Sequence, residues 1–165
     1  MKKGNEKQIQ LYTDGAARGN PGPGGYGIVL KYGKHSKELS QGYVRTTNNR
    51  MELLAVIVGL EQLKKMNSRV VVYSDSKYVC EAVNKGWVFS WESKQFRKKK
   101  NPDLWIRFLK IYRQHNVEFI WIKGHADNTE NERCDKLAVE ASKQPGLLTD
   151  EGYQDENGKP LSFTI

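Results

Sequence analysis

Residues 47–66 read TNNRMELLAVIVGLEQLKKM, a helical pattern that is apolar on nearly every side, with Leu53, Val56, Ile57, Leu60 and Leu63 as its strongest stripe. A helix apolar all round cannot lie on a surface with one face in water. It needs partners on several sides, so the rest of the chain must supply layers to enclose it. One residue contradicts the pattern. Glu52 sits in the first turns, where burying a carboxylate is costly without a cation or hydrogen-bond donors. Asn49, with Glu52 three residues on, predicts a capping box at the helix start.

The layers are visible in the flanking patterns. QIQLYT alternates and ends at Asp14, and GYGIVLKY and KELSQGYV read as two more strands joined by a turn in KYGKHSK. RVVVYSD is a β-branched run ending in Asp75, and VEFIWI is a further strand. SKYVCEAVNKG carries Val79, Cys80 and Val83 on one helical face, with Gly86 as its stop. Asn101, Pro102 and Asp103 make a helix start, followed by Leu104, Trp105, Phe108, Ile111 and Tyr112 at helical spacing. Thr129 and Glu132 predict a second capping box, with Cys134, Leu137, Ala138 and Ala141 behind it. Three strands followed by strand–helix alternation predict a mixed α/β sheet with right-handed crossovers and helices packed on it. No linker or repeat divides the chain. It reads as one domain over residues 1–143 followed by an acidic tail, residues 144–165, part of which is expected to be disordered.

No run reaches the roughly 18 consecutive apolar residues that a membrane helix requires. The start, MKKGNEKQIQ, has no apolar core of a secretory signal. Cys80 and Cys134 match no metal or redox spacing, so reduced thiols in a cytoplasmic protein are expected. The net charge is +8. Residues 144–165 hold four acids against Lys159, which is −3, leaving +11 on residues 1–143. A basic body of this kind fits a polyanionic partner such as nucleic acid, or simply a soluble basic surface.

Two features of LYTDGAARGNPGPGGYG compete for a functional role. Gly22, Gly24 and Gly27 spell the G-x-G-x-x-G of a dinucleotide turn, but that turn must open a helix. Here a strand pattern follows Gly27, and Pro21 and Pro23 disfavour a helix. The glycines therefore read as scaffold, permitting a tight loop or a close backbone approach. Asp14 is different. It and Asp75 end β-rich runs, at the strand ends where α/β sheets gather ligands, while Asp135 sits early in the last helix beside its apolar stripe. Singly, such acids cap turns or face helix dipoles. Converged with Glu52, they would repel strongly unless cations neutralised them. Hard oxygen donors suit Mg²⁺ or Mn²⁺, and such a site on a basic protein points to phosphodiester chemistry.

YTDGAARGNPGPGGYG, RTTNNRMEL, SDSKYV, IKGHA and ENERCDKLA, in this order, resemble the bacterial type 1 ribonuclease H family across residues 9–142, and again weakly at EGYQ. The resemblance implies a five-stranded mixed sheet of order 3-2-1-4-5 with helices on both faces. It implies hydrolysis of the RNA strand of RNA/DNA hybrids, without sequence preference, leaving 3′-hydroxyl and 5′-phosphate ends. Primer removal and R-loop clearance are the implied roles. The family's metal set falls on Asp14, Glu52, Asp75 and Asp135, implying two Mg²⁺, or Mn²⁺ as substitute, once substrate is bound. Its mobile histidine, which helps proton transfer or product departure, falls on His125.

For substrate, the resemblance implies that Asn20, Asn48 and Asn49 contact the minor groove and ribose. Amides suit a hybrid because its minor groove presents 2′-hydroxyls from one strand only. Arg45 and Thr47, with Asn101, match a pocket for a DNA phosphate, although Asn101 reads equally as a helix cap. Residues 85–101, KGWVFSWESKQFRKKKN, match a basic handle. There Lys98 and Lys99 would hold phosphates, and Trp87 and Trp91 would line the DNA-strand channel; the plainer reading is a hairpin with core aromatics and solvated lysines. Lys77 stands where the family often has glutamine. A monomer acting on hybrid duplex is expected, with no membrane role. The alternatives are a same-fold structure-specific nuclease such as a junction resolvase, and a non-catalytic hybrid-binding module.

Overall fold

A computed structural model describes residues 8–124 and 128–154. In chain order the elements are β1 (Gln8–Ala17), β2 (Gly22–Tyr32), β3 (His35–Thr46), α1 (Asn48–Glu61), β4 (Arg69–Ser74), α2 (Lys77–Asn84), α3 (Trp87–Ser93), α4 (Pro102–Tyr112), β5 (Asn116–Trp121) and α5 (Thr129–Ser142). The strands form one sheet of order β3-β2-β1-β4-β5. β1, β2 and β3 pair antiparallel, whereas β4 runs parallel to both β1 and β5. This is the mixed sheet the sequence predicts.

Alternation along β1 sorts its neighbours onto two faces. Leu11 enters the larger core with Met51, Leu53, Ile57 and Leu60 of α1 and with Trp105 and Phe108 of α4. Tyr12 turns to the opposite face, where it meets Val29 and Cys134 of α5. Helix α1 is thus enclosed between the sheet and α4. That enclosure is why its residues from Met51 to Leu60 are almost all apolar and buried.

The glycines that resemble a dinucleotide turn lie inside β2. Their use is close packing. A Cβ on Gly27 would overlap the Cys134 carbonyl, one on Gly42 would overlap that of Ala141, and one on Gly25 would lie 2.7 Å from that of Ala138. The α5 backbone therefore rests on a strip of the sheet without side chains, which brings Asp135 close to β1.

Three local expectations differ from the structure. The α1 cap is Thr47, whose hydroxyl accepts from the Arg50 N–H at 3.2 Å; Asn49 is already helical, so Glu52 takes no part in a capping box. The α5 cap is Asn128, accepting from the Asn131 N–H at 2.7 Å, rather than Thr129. Residues 85–101 contain a short helix, α3, followed by turns, rather than the hairpin of the plainer reading. Gly86 in the left-handed region (φ 76) turns the chain from α2 into α3, and Gln95, Phe96 and Lys98 also have positive φ, which extended strands exclude. Buried Val88 and Phe96 anchor the segment.

The tail as far as Gln154 lies against the body. Leu148 exchanges backbone hydrogen bonds with Gly42 and Val44 (3.0 and 2.9 Å), and Asp150 and Tyr153 are buried. Among the described residues no helix is long and apolar enough to cross a membrane.

Gly27→Ala should destabilise the protein by about 1–3 kcal/mol through overpacking against α5. Gly33→Ala, at a hairpin glycine with φ +59 and open space around it, should cost only about 1 kcal/mol of backbone strain. Urea denaturation of the two variants checks the ordering.

Candidate active site

The site begins in strand register. Parallel pairing of β1 with β4 ends at Tyr12 and Tyr73. Asp14 and Asp75 each lie two residues beyond that pair, so they stand side by side where the two strands part. β1 continues to Ala17 against β2 alone, with Asp14 opposite Gly27. Glu52 arrives from α1. Its approach depends on Gly15, where a Cβ would overlap the α1 backbone at Met51 and Glu52. As a result Asp14, Glu52 and Asp75 each offer a carboxylate oxygen within 4.8 Å of the other two. Asp135 lies outside that closest trio, yet near enough to Asp14 to help raise its carboxyl. His125 falls outside the described residues.

The electrostatics are those of a cluster short of positive charge. Burial, then the Asp75 charge, pushes the Asp14 carboxyl up to about 8, against the opposing pull of the Gly15 N–H; Asp135 raises it further. That N–H donates to Asp14 Oδ1 at 2.9 Å. Glu52 is also held well above the ordinary carboxylate range, first by burial and then by the charges of Asp14 and Asp75. Its Oε1 is buried with no hydrogen-bond partner among the described residues. Crowded hard oxygen donors and an orphaned carboxylate oxygen fit a divalent cation.

Around the cluster, Trp121 Nε1 donates to the Asp75 carbonyl at 3.0 Å, and Lys77 Nζ sits 5.1 Å from the Trp121 ring centroid. A Cβ at Gly124 would lie 3.0 Å from Asp75 Oδ2. The sequence reading gives neither Trp121 nor Gly124 a role of its own, although Gly124 lies within IKGHA, because their contacts to Asp75 cross between β4 and the end of β5.

The expected substrate residues lie on two exposed regions. At the first, Asn20 Oδ1 accepts from the Asn48 N–H (2.9 Å) and Asn48 Oδ1 accepts from the Ala17 N–H (2.6 Å). These backbone donors fix both amide orientations, and among the described residues neither NH₂ group has a protein partner. Asn49 and Arg45 are exposed nearby, and Thr47 is half-buried. At the second, Lys98 and Lys99 are exposed, Lys99 lies over Trp91 (5.2 Å) and Lys85 over exposed Trp87 (5.2 Å). Asn101 caps α4 by position but not by its side chain. Its Oδ1 accepts from Arg50 Nη1 (3.1 Å) and its Nδ2 donates to the Tyr78 hydroxyl (2.9 Å). Arg50 carries no role in the sequence reading; the available signal was a guanidinium in the first turn of a buried helix, which must have anionic partners.

The shift at Asp14 has a thermodynamic consequence without metal. A carboxyl whose folded value is about 8, against an ordinary 3.8, adds stability below pH 4, and that contribution is lost as pH rises toward 8. In EDTA, Asp14→Asn should therefore melt above the unaltered protein, with a gap that widens from pH 5 to pH 8. Added Mg²⁺ should narrow the gap by stabilising the unaltered chain. Melting curves across pH with and without Mg²⁺ check this; a gap independent of pH and metal would contradict it.

The RNase H family model matches residues 6–143. The ribonuclease H of Desulforamulus reducens is 57% identical over 151 residues, spanning 88% of this chain and 94% of the relative. That of Syntrophus aciditrophicus is 54% identical over 156 residues, spanning 92% and 90%. Among solved structures, LC9-RNase H1, a type 1 RNase H with the type 2 active-site motif, superposes with a TM-score of 0.75 at 30% identity, covering 89% of this chain and 79% of its own. LC11-RNase H1, solved in complex with an RNA/DNA hybrid, gives 0.60 at 31% identity, covering 81% and 95%. With its five ordered motifs, the 3-2-1-4-5 sheet and carboxylates gathered where β1 and β4 part, the chain belongs to the ribonuclease H family.

Proposed function

We propose that this chain is an endoribonuclease that hydrolyses the RNA strand of RNA/DNA hybrids without sequence preference, leaving 3′-hydroxyl and 5′-phosphate ends. The observation that carries the reading is the convergence of Asp14, Glu52 and Asp75 within 4.8 Å on a chain of net charge +8. These three, with Asp135, would hold divalent cations, Mg²⁺ or in its place Mn²⁺, two with substrate bound. When bound, such cations supply Lewis-acid chemistry, offsetting charge on phosphate oxygens and making a water easier to deprotonate.

The chain's own groups do the rest. Asp14, held by the Gly15 N–H, and Glu52, fixed on a buried helix, give the donor set a rigid frame that needs little reorganisation. His125 is assigned proton transfer or product departure. Asn20, Asn48 and Asn49 present amides to the minor groove, where only the RNA strand carries 2′-hydroxyls. Arg45, Thr47 and Asn101 form the pocket for a DNA-strand phosphate. Lys98 and Lys99, with Trp87 and Trp91, extend the basic track along the DNA strand. The protein works as a monomer in the cytoplasm.

The deciding experiment uses end-labelled RNA in three forms: hybridised to DNA, paired with RNA, and single-stranded. Each is incubated with Mg²⁺, Mn²⁺ or EDTA. Internal cleavage of the hybrid alone, dependent on metal and abolished in Asp14→Asn, is expected. Tight hybrid binding without cleavage under either metal would sink the enzyme reading in favour of a binding module, and preferential cleavage of branched DNA would favour a junction nuclease. A second expectation concerns the handle. Replacing Lys98, Lys99 and Lys100 with alanine should weaken hybrid binding and reduce the slope of log K against log salt by about 2–3, while single-turnover cleavage at saturating enzyme persists.

A further inference from the structure

Arg50 joins three separate parts of the chain. It is 2% exposed, too deep to meet a phosphate itself. Its Nε and Nη2 donate to Asp150 (2.7 and 2.9 Å), its Nη1 and Nη2 to Asp103 (2.9 and 2.8 Å), and its Nη1 to Asn101 Oδ1 (3.1 Å). Asp150 Oδ2 also accepts from the Thr46 hydroxyl at 2.6 Å. Asn101 is left-handed (φ 62) and makes no side-chain cap bond; among the described residues its amide is held by Arg50 and by Tyr78, whose hydroxyl also accepts from Trp105 Nε1 (3.0 Å). The Arg50 backbone N–H donates to Thr47 Oγ1. One residue thus touches both Thr47, at the start of α1, and Asn101, at the start of α4.

The two carboxylates are not equivalent partners. The Asp103 side chain is 40% exposed and its pairing is screened by water, whereas that of Asp150 is 6% exposed. The buried half of the clamp therefore comes from the C-terminal segment, far in sequence from the residues it holds.

We propose that Arg50 and Asp150 are positioning residues for hybrid binding: through this pair the C-terminal segment holds Thr47 and Asn101 at the separation that a DNA-strand phosphate requires. The inference rests on the hybrid-hydrolysis reading above. It gives the acidic tail a part in substrate recognition without contact to substrate.

The test is steady-state cleavage by the full-length chain carrying Asp150→Asn, at a temperature where circular dichroism shows it fully folded. Thr46→Val, which removes one donor to Asp150, is the gentler companion and decides the matter if Asp150→Asn does not fold. Two substrates are compared: an ordinary hybrid, and one whose DNA strand carries neutral methylphosphonates in place of phosphates. On the ordinary hybrid KM should rise about five- to tenfold, with kcat changed less than about twofold. On the methylphosphonate hybrid the difference in KM from the unaltered protein should largely vanish, because the contact is already lost. A lower melting temperature with unchanged KM, or an equal rise in KM on both substrates, would overturn the proposal and leave the clamp a purely structural strut. Failure of the unaltered protein to cleave the ordinary hybrid would instead remove the underlying reading, and it is seen without any variant.

Discussion

Three carboxylates within 4.8 Å of one another at the end of a sheet, one buried and two half-buried, repel one another unless a cation neutralises them. Burial and the neighbouring carboxylate charges disfavour the charged forms of Asp14 and Glu52. Nothing among the described residues neutralises them: one backbone N–H reaches Asp14, and a Glu52 oxygen has no partner. Much of the surrounding architecture can be understood as the frame that forces them together.

That frame relies on backbone contact more than on side-chain contact. Gly15 lets α1 approach β1, and Gly25, Gly27 and Gly42 let α5 approach β2 and β3. The apolar bulk of α1, enclosed by the sheet and α4, supplies hydrophobic stabilisation that offsets the strain of the cluster. A metal site on such a frame has donors in place before a cation arrives, at the cost of a less stable apo protein.

The proposed recognition surface is built differently. The asparagines and the lysines of residues 94–100 sit on exposed turns and helix ends, where their groups are available to a duplex. Only a few are fixed by the protein, through the Asn20–Asn48 bonds and the Arg50 clamp. Lysines held loosely over Trp91 and Trp87 suit a polyanion bound through its charge, and amides held at fixed angles suit a groove bound through its shape.

The sequence by itself determined the elements with strong periodicity, the mixed sheet and the four carboxylates as candidates. Those follow from local pattern: β-branched runs ending in Asp14 and Asp75, and a helix too apolar to be exposed yet carrying Glu52. It misplaced both capping boxes, because a cap depends on which residue first adopts helical dihedrals and several neighbours offered suitable side chains. It missed α3, because aromatics and cations crowded into residues 85–101 carry no clean 3.6-residue period. Arg50, Asp103 and Asp150 were beyond its reach as a unit, as were Trp121 and Gly124 beside Asp75. Only the tertiary structure decided those, since their partners lie tens of residues apart, and hydrogen bonds between distant segments leave no periodic trace along the chain.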